Sequence, residues 1–207
     1  GRNPSEITLI AVSKNFGIDK ITEASNSGLI HFGENKAQEF VNKAQLISNK
    51  LIWHFIGHLQ TNKVKYVVKY ADYIHSVDSF KLAEEIEKQA GKINKLQNVL
   101  LEIKTSDEAT KFGLINEEDI LSIASFCKNA KHIDLVGLMT IAPFTDNEND
   151  IRKSFSSLRE LKNKLNALGF GLKELSMGMT NDFEIAIEEG STMLRIGTAI
   201  FGKRNYN

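Results

Sequence analysis

The chain has 207 residues, enough to bury a substantial core and close to the lower bound of roughly 200 to 250 residues for a one-domain α/β barrel. Lysine plus arginine and aspartate plus glutamate stand at 26 each, so no net field gathers nucleic acid or an anionic membrane surface; a small neutral or mixed-charge ligand fits better. The lone Cys127 excludes an intramolecular disulfide. No apolar run approaches the roughly 20 residues of a membrane span and no secretory signal is visible, so the expectation is a cytoplasmic protein without a membrane partner.

Taken in order, short apolar and β-branched runs alternate with helical periodicity, the pattern of β/α units. Strands are predicted at Thr8 to Ser13, Leu29 to Phe32, Leu51 to Phe55, Tyr73 to Ser76, Val99 to Ile103, Asp134 to Met139, Glu174 to Ser176 and Thr192 to Ile196. Helices are predicted between them, among them Lys20 to Asn26, Ala37 to Ser48, Phe80 to Ala90, Glu117 to Phe126 and Ile151 to Leu168. Asp182 is read as the N-cap of another helix, which Gly190 closes. Eight such units point to a closed (β/α)8 barrel, with a six- or seven-stranded open sheet as the alternative order. No linker or low-complexity tract interrupts them, so residues 1–207 are read as one domain. The short segment after strand eight leaves part of that strand and of strand one without outer cover, which residues preceding Gly1 would supply.

In parallel barrels, ligands sit on the loops at the C-terminal strand ends, and phosphates favour the loops after strands seven and eight. Ser176-Met177-Gly178-Met179-Thr180 and Arg195-Ile196-Gly197-Thr198 occupy those two positions. Gly178 and Gly197 let backbone N–H groups approach a phosphate, Thr180 and Thr198 add hydroxyl donors, and Ser176 joins them if its side chain turns toward the mouth. The competing reading is tight turns and helix caps only. Lys14 ends the most hydrophobic strand of the first half, across the expected seam between strands eight and one. A desolvated lysine there has a lowered pKa and a nucleophilic neutral amine, although strand-end lysines often only extend an apolar stem toward water. A phosphorylated aldehyde such as pyridoxal 5'-phosphate satisfies both features. Arg195 can donate to the pyridine nitrogen and keep it unprotonated, which makes the ring a weak electron sink and argues against transaminase-type chemistry.

Ala11-Val12-Ser13-Lys14, His31-Phe32-Gly33-Glu34-Asn35, His54-Phe55-Ile56-Gly57-His58-Leu59-Gln60-Thr61-Asn62-Lys63, Gly137-Leu138-Met139-Thr140-Ile141-Ala142-Pro143 and Arg195-Ile196-Gly197-Thr198-Ala199-Ile200-Phe201-Gly202 together resemble the pyridoxal phosphate homeostasis protein family. The resemblance covers nearly the whole chain. It implies a barrel similar to the N-terminal domain of alanine racemase, with the cofactor held as a Schiff base on Lys14. It also implies a carrier or buffer of intracellular vitamin B6 without strong catalysis, with apo-enzymes that use the cofactor as recipients; a monomer is the separate expectation. Asn35 near the ring and Met139 along the pocket follow from the resemblance alone. Three departures stand out: Thr180 replaces the family's serine, Asn15 replaces the threonine after the lysine, and the family's leading helix has no counterpart before the first strand.

Two enzyme readings compete. A low-activity amino-acid racemase would use Lys14 on one face of the substrate, with no evident residue for the other. A metal-dependent barrel hydrolase would use His31, His54, His58 and His75, yet the His54/His58 spacing brings two imidazoles together only on a helix, Trp53 to Ile56 reads as strand, and no metal-ligand pattern emerges. The basic and aromatic run Asn62 to Tyr70 is better read as a solvated helix face than as a nucleic-acid surface.

Overall fold

The computed structural model describes residues 1–47, 51–106 and 112–202. Eight parallel strands close on themselves in sequence order: β1 (Thr8–Val12), β2 (His31–Glu34), β3 (Ile52–Phe55), β4 (Tyr73–Val77), β5 (Gln97–Glu102), β6 (Ile133–Met139), β7 (Glu174–Ser176) and β8 (Met193–Ile196). The seam is made by β1 and β8, with Ile10 beside Arg195 and Ala11 beside Ile196. The expected barrel is therefore closed, and the six- and seven-stranded alternatives fall away. Around it lie α1 (Ile18–Asn26), α2 (Ala37–Leu46), α3 (Val64–Val67), α4 (Phe80–Lys92), α5 (Glu117–Asn129), α6 (Glu148–Ala167), α7 (Phe183–Glu188) and α8 (Thr198–Phe201).

Alternation along the strands divides the interior into two layers. One set of side chains, including Ala11, Phe32, Phe55 and Leu175, packs outward against the helices in the main core. Phe40 of α2 is fully buried there, its ring edge-on to Trp53 and Phe55, each centroid 5.8 Å away. The other set fills the lumen, where Ile10, Leu100, Met139 and Met193 form a small apolar cluster. Above and beside it the lumen is polar: His54, His75, Ser176 and Arg195 are all buried. Gly137 is required by the wall itself, since a Cβ there would stand 2.1 Å from the Glu174 carbonyl oxygen on β7.

Several predicted boundaries move. The second strand begins at His31 rather than Leu29, because Leu29 packs partly buried against the outer core after the α1 turn instead of pairing. α2 ends at Leu46; the predicted end, Ser48, lies outside the described residues. α6 begins three residues before Ile151, since the Asn147 side chain accepts from Asn149 N and caps it. Asp182 does occupy the N-cap position of α7, but its side chain makes no capping bond; Oδ1 accepts instead from Met179 N at 2.5 Å, tying the β7 loop.

Cys127 is buried in α5, and burial pushes its thiol up to about 12, the state of a packing residue rather than a nucleophile. Val64, Val67, Val68 and Ala71 are buried, while Lys65 and Lys69 lie over the neighbouring Tyr66 and Tyr70 rings, as a solvated helix face requires. Among the described residues no helix is long and apolar enough to cross a membrane.

Candidate functional site

The predicted site residues gather at the C-terminal strand ends around the β8–β1 seam. The pairing of Ala11 with Ile196 brings Val12 beside Gly197, where a Cβ on the glycine would stand 3.3 Å from the Val12 carbonyl oxygen. Lys14 follows two residues later, half-buried at the rim. Gly178 lies beside β8, its carbonyl accepting from Arg195 N at 3.0 Å. Its φ of +97° and contacts account for the glycine independently of any ligand: a Cβ would meet Ala186 Cβ at 2.6 Å and Leu194 Cδ2 at 2.8 Å. Thr180 is half-buried in the β7 loop, and Thr198 is exposed as the first residue of α8.

Ser176 departs from the expected orientation. Its hydroxyl points into the lumen, bonded to His75 Nδ1 at 2.9 Å and accepting from Arg195 Nη1 at 2.6 Å, so it supports the arginine instead of joining the loop donors. Arg195 is 4 % exposed, and its Nη2 donates to the Thr140 carbonyl at 2.8 Å. Burial brings the guanidinium down to about 10 against the pull of Asp182 and Glu102, which leaves it charged at neutral pH. Met139 belongs to the lumen cluster below the mouth. Asn35, just beyond β2, carries a buried Oδ1 with no hydrogen-bond partner, the kind of atom a ligand satisfies.

A second set of residues, without an assigned role in the sequence reading, holds the turn that bears Lys14. Lys43 of α2 reaches inward and donates to Ser13 O at 2.8 Å, to Glu34 Oε1 at 2.6 Å and to Glu39 Oε1 at 2.7 Å. Ser13 Oγ donates to the same Glu34 oxygen at 2.6 Å, and Glu39 accepts from Asn15 N at 2.7 Å. Both residues flanking Lys14 are thus tied to one buried ammonium, and Asn15 takes a left-handed φ of +68° that asparagine tolerates. Burial raises the Glu34 carboxyl, opposed by Lys43 and Ser13.

Glu102, the last residue of β5, lies on the lumen side with Leu100 and is 7 % exposed. Burial, with Asp78 adding to it and Arg195 opposing, raises it to about 7. An acidic residue ending an apolar strand was the available sequence signal. Because the folded value exceeds the ordinary 4.5, Glu102 costs nothing below that pH, and the cost grows until pH passes 7. The full shift corresponds to about 3 kcal/mol, and water at the open mouth returns part of it. Glu102→Gln should therefore stabilise the protein by about 2 kcal/mol at pH 8 and by little at pH 4.5. Urea unfolding at both pH values checks this; an equal gain at both would contradict it.

Among the described residues no group of three or more His, Cys, Asp or Glu could hold a metal ion. His31, His54 and His75 bond to one another, and both ring nitrogens of His54 are engaged. His58 pairs with Asp78 at 3.1 Å and stacks on Phe112.

Residues 3–205 match the family model described as alanine racemase, N-terminal domain. Pyridoxal phosphate homeostasis proteins of Aquifex aeolicus and Escherichia coli are 43 % and 40 % identical to the chain. Each match covers all of this chain, with 91 % of the Aquifex aeolicus relative and 90 % of the Escherichia coli one. The solved structure of PipY from Synechococcus elongatus with pyridoxal phosphate bound superposes with a TM-score of 0.90 at 35 % identity, covering 97 % of this chain and 95 % of PipY. Alanine racemase of Clostridium difficile shares the fold, with a TM-score of 0.84 at 16 % identity, over 99 % of this chain and 55 % of the racemase.

Proposed function

The chain belongs to the pyridoxal phosphate homeostasis protein family, and from that premise we propose that it holds pyridoxal 5'-phosphate as a Schiff base on Lys14. The observation that carries this reading is the β8–β1 seam, which sets the Lys14 turn beside Gly197 and one strand pair from the buried Arg195 cation. The cofactor supplies an aldehyde; the neutral Lys14 amine adds to its carbon and water leaves. Gly197, Gly178, Thr198 and Thr180 are the proposed phosphate donors, and Arg195 the donor to the ring nitrogen. Asn35, with its unpaired Oδ1, is the proposed partner at the ring edge, and Met139 the apolar floor.

Such a protein acts in the cytoplasm as a monomeric carrier or buffer of the cofactor, handing it to apo-enzymes. Arg195 suits that role: a guanidinium at the ring nitrogen withholds the proton that would make the ring a strong electron sink, so the held cofactor is spared side reactions.

Borohydride reduction of protein loaded with pyridoxal 5'-phosphate, followed by peptide mass mapping, tests the reading. A pyridoxyl adduct is expected on the Lys14 peptide, and Lys14→Ala should lose the visible absorbance of the imine while remaining folded. An adduct on Lys36 or Lys63 instead would sink the assignment. Rapid formation of D-alanine from L-alanine by the loaded protein would place it among racemases.

A further inference from the structure

The lumen carries a file of hydrogen bonds that the proposed site uses only at one end. From Arg195 it runs through Ser176 Oγ to His75 Nδ1, from His75 Nε2 to His54 Nδ1 at 2.9 Å, and from His54 Nε2 to His31 Nδ1 at 3.0 Å. Its five residues lie on five different strands: β8, β7, β4, β3 and β2. His54 is further held by face-to-face stacking on Tyr73, with centroids 4.6 Å apart and planes 7° from parallel. His31, half-buried at the start of β2, is the far end.

The direction of the file is set chemically. A guanidinium only donates, so Ser176 Oγ accepts from Arg195, and its own proton needs another acceptor. His75 Nδ1 is at hydrogen-bond distance for that proton. His75 then carries its proton on Nε2 and donates to His54 Nδ1, and His54 in turn donates from Nε2 to His31 Nδ1. This requires neutral rings; burial holds His75 well below its usual range and His54 at about 3.

We propose that His75, backed by His54, is a positioning residue for Arg195, acting through the Ser176 hydroxyl. Without an acceptor on His75, the hydroxyl is free to rotate its proton toward the guanidinium, and Arg195 loses a contact that fixes its plane together with the Thr140 carbonyl. The inference rests on the reading of Arg195 as the partner of the ring nitrogen. It adds that the orientation of that donor is set from the opposite side of the lumen.

Nitrogen NMR of the unloaded protein reads the tautomers directly. His75 and His54 should both carry the proton on Nε2; a proton on Nδ1 of His75 would overturn the proposal. With pyridoxal 5'-phosphate as probe, His75→Phe should weaken binding about tenfold, the size of one lost hydrogen bond, and shift the visible band of the loaded protein. His75→Asn, whose Oδ1 can stand where Nδ1 did, should stay within about threefold of the parent. Should the phenylalanine variant fail to fold, Ser176→Ala removes the same contact with a smaller change and should show the same loss. Unchanged affinity and band in His75→Phe or Ser176→Ala, with Lys14 still labelled by borohydride, overturns this inference alone. Absence of the Lys14 label in the parent protein overturns the cofactor reading as well.

Discussion

Replacing Lys43 by methionine should cost about 3 to 5 kcal/mol of stability, the usual consequence of leaving one member of a buried ion pair unpaired. The stem is retained, so the loss falls on the ammonium, whose side chain is 8 % exposed and which stands 2.6 Å from the fully buried Glu34. Glu34 Oε2 already lacks a hydrogen-bond partner, and Ser13 Oγ would be the remaining donor to Oε1. The stranded carboxylate would take up a proton, so the deficit should shrink as pH is lowered toward 5. Lys43→Met combined with Glu34→Gln should recover much of the loss, because the pair is then removed together. Urea unfolding of the single and double variants measures both effects; additive losses would show that the two side chains act independently. The same substitution frees Ser13 O and Glu39, which hold the turn on either side of Lys14. Formation of the imine should therefore slow even under conditions where the variant remains folded.

The parts of the molecule that were legible in the sequence are those whose signal is local. All eight strands stand out because each is an apolar run followed by helical periodicity, and the glycines at the ends of strands seven and eight mark the mouth. Boundaries failed where apolarity served packing without pairing, as at Leu29, or where a first turn is wholly polar, as in Asn147-Glu148-Asn149-Asp150. The support of the site was hidden for a different reason. Lys43 carries no signal of its own within the predicted helix, and only the approach of α2 to β1 and β2 turns it inward. The histidines were visible as residues, yet their file depends on register across five strands, which no spacing along the chain encodes.

That file also makes a prediction about acid. His54 has a folded value of about 3 against an ordinary 6.5, through burial and the neighbouring His31. Above pH 6.5 both the folded and the unfolded ring are neutral, and the shift has no effect. As pH falls below that, the unfolded ring binds a proton that the folded ring refuses, and stability drops by about 1.4 kcal/mol per pH unit. The wild-type curve alone will not display this slope, because Glu102 and Glu34, whose values are raised, become less costly over the same range. The contribution is isolated by difference. Relative to His54→Gln, which does not titrate, the wild type should lose about 2 kcal/mol between pH 6.5 and 4.5, whatever the offset at neutral pH. Urea unfolding at half-unit pH steps gives the difference curve. A flat one would mean that His54 is charged in the folded state, which would also break the polarity of the chain that reaches Arg195.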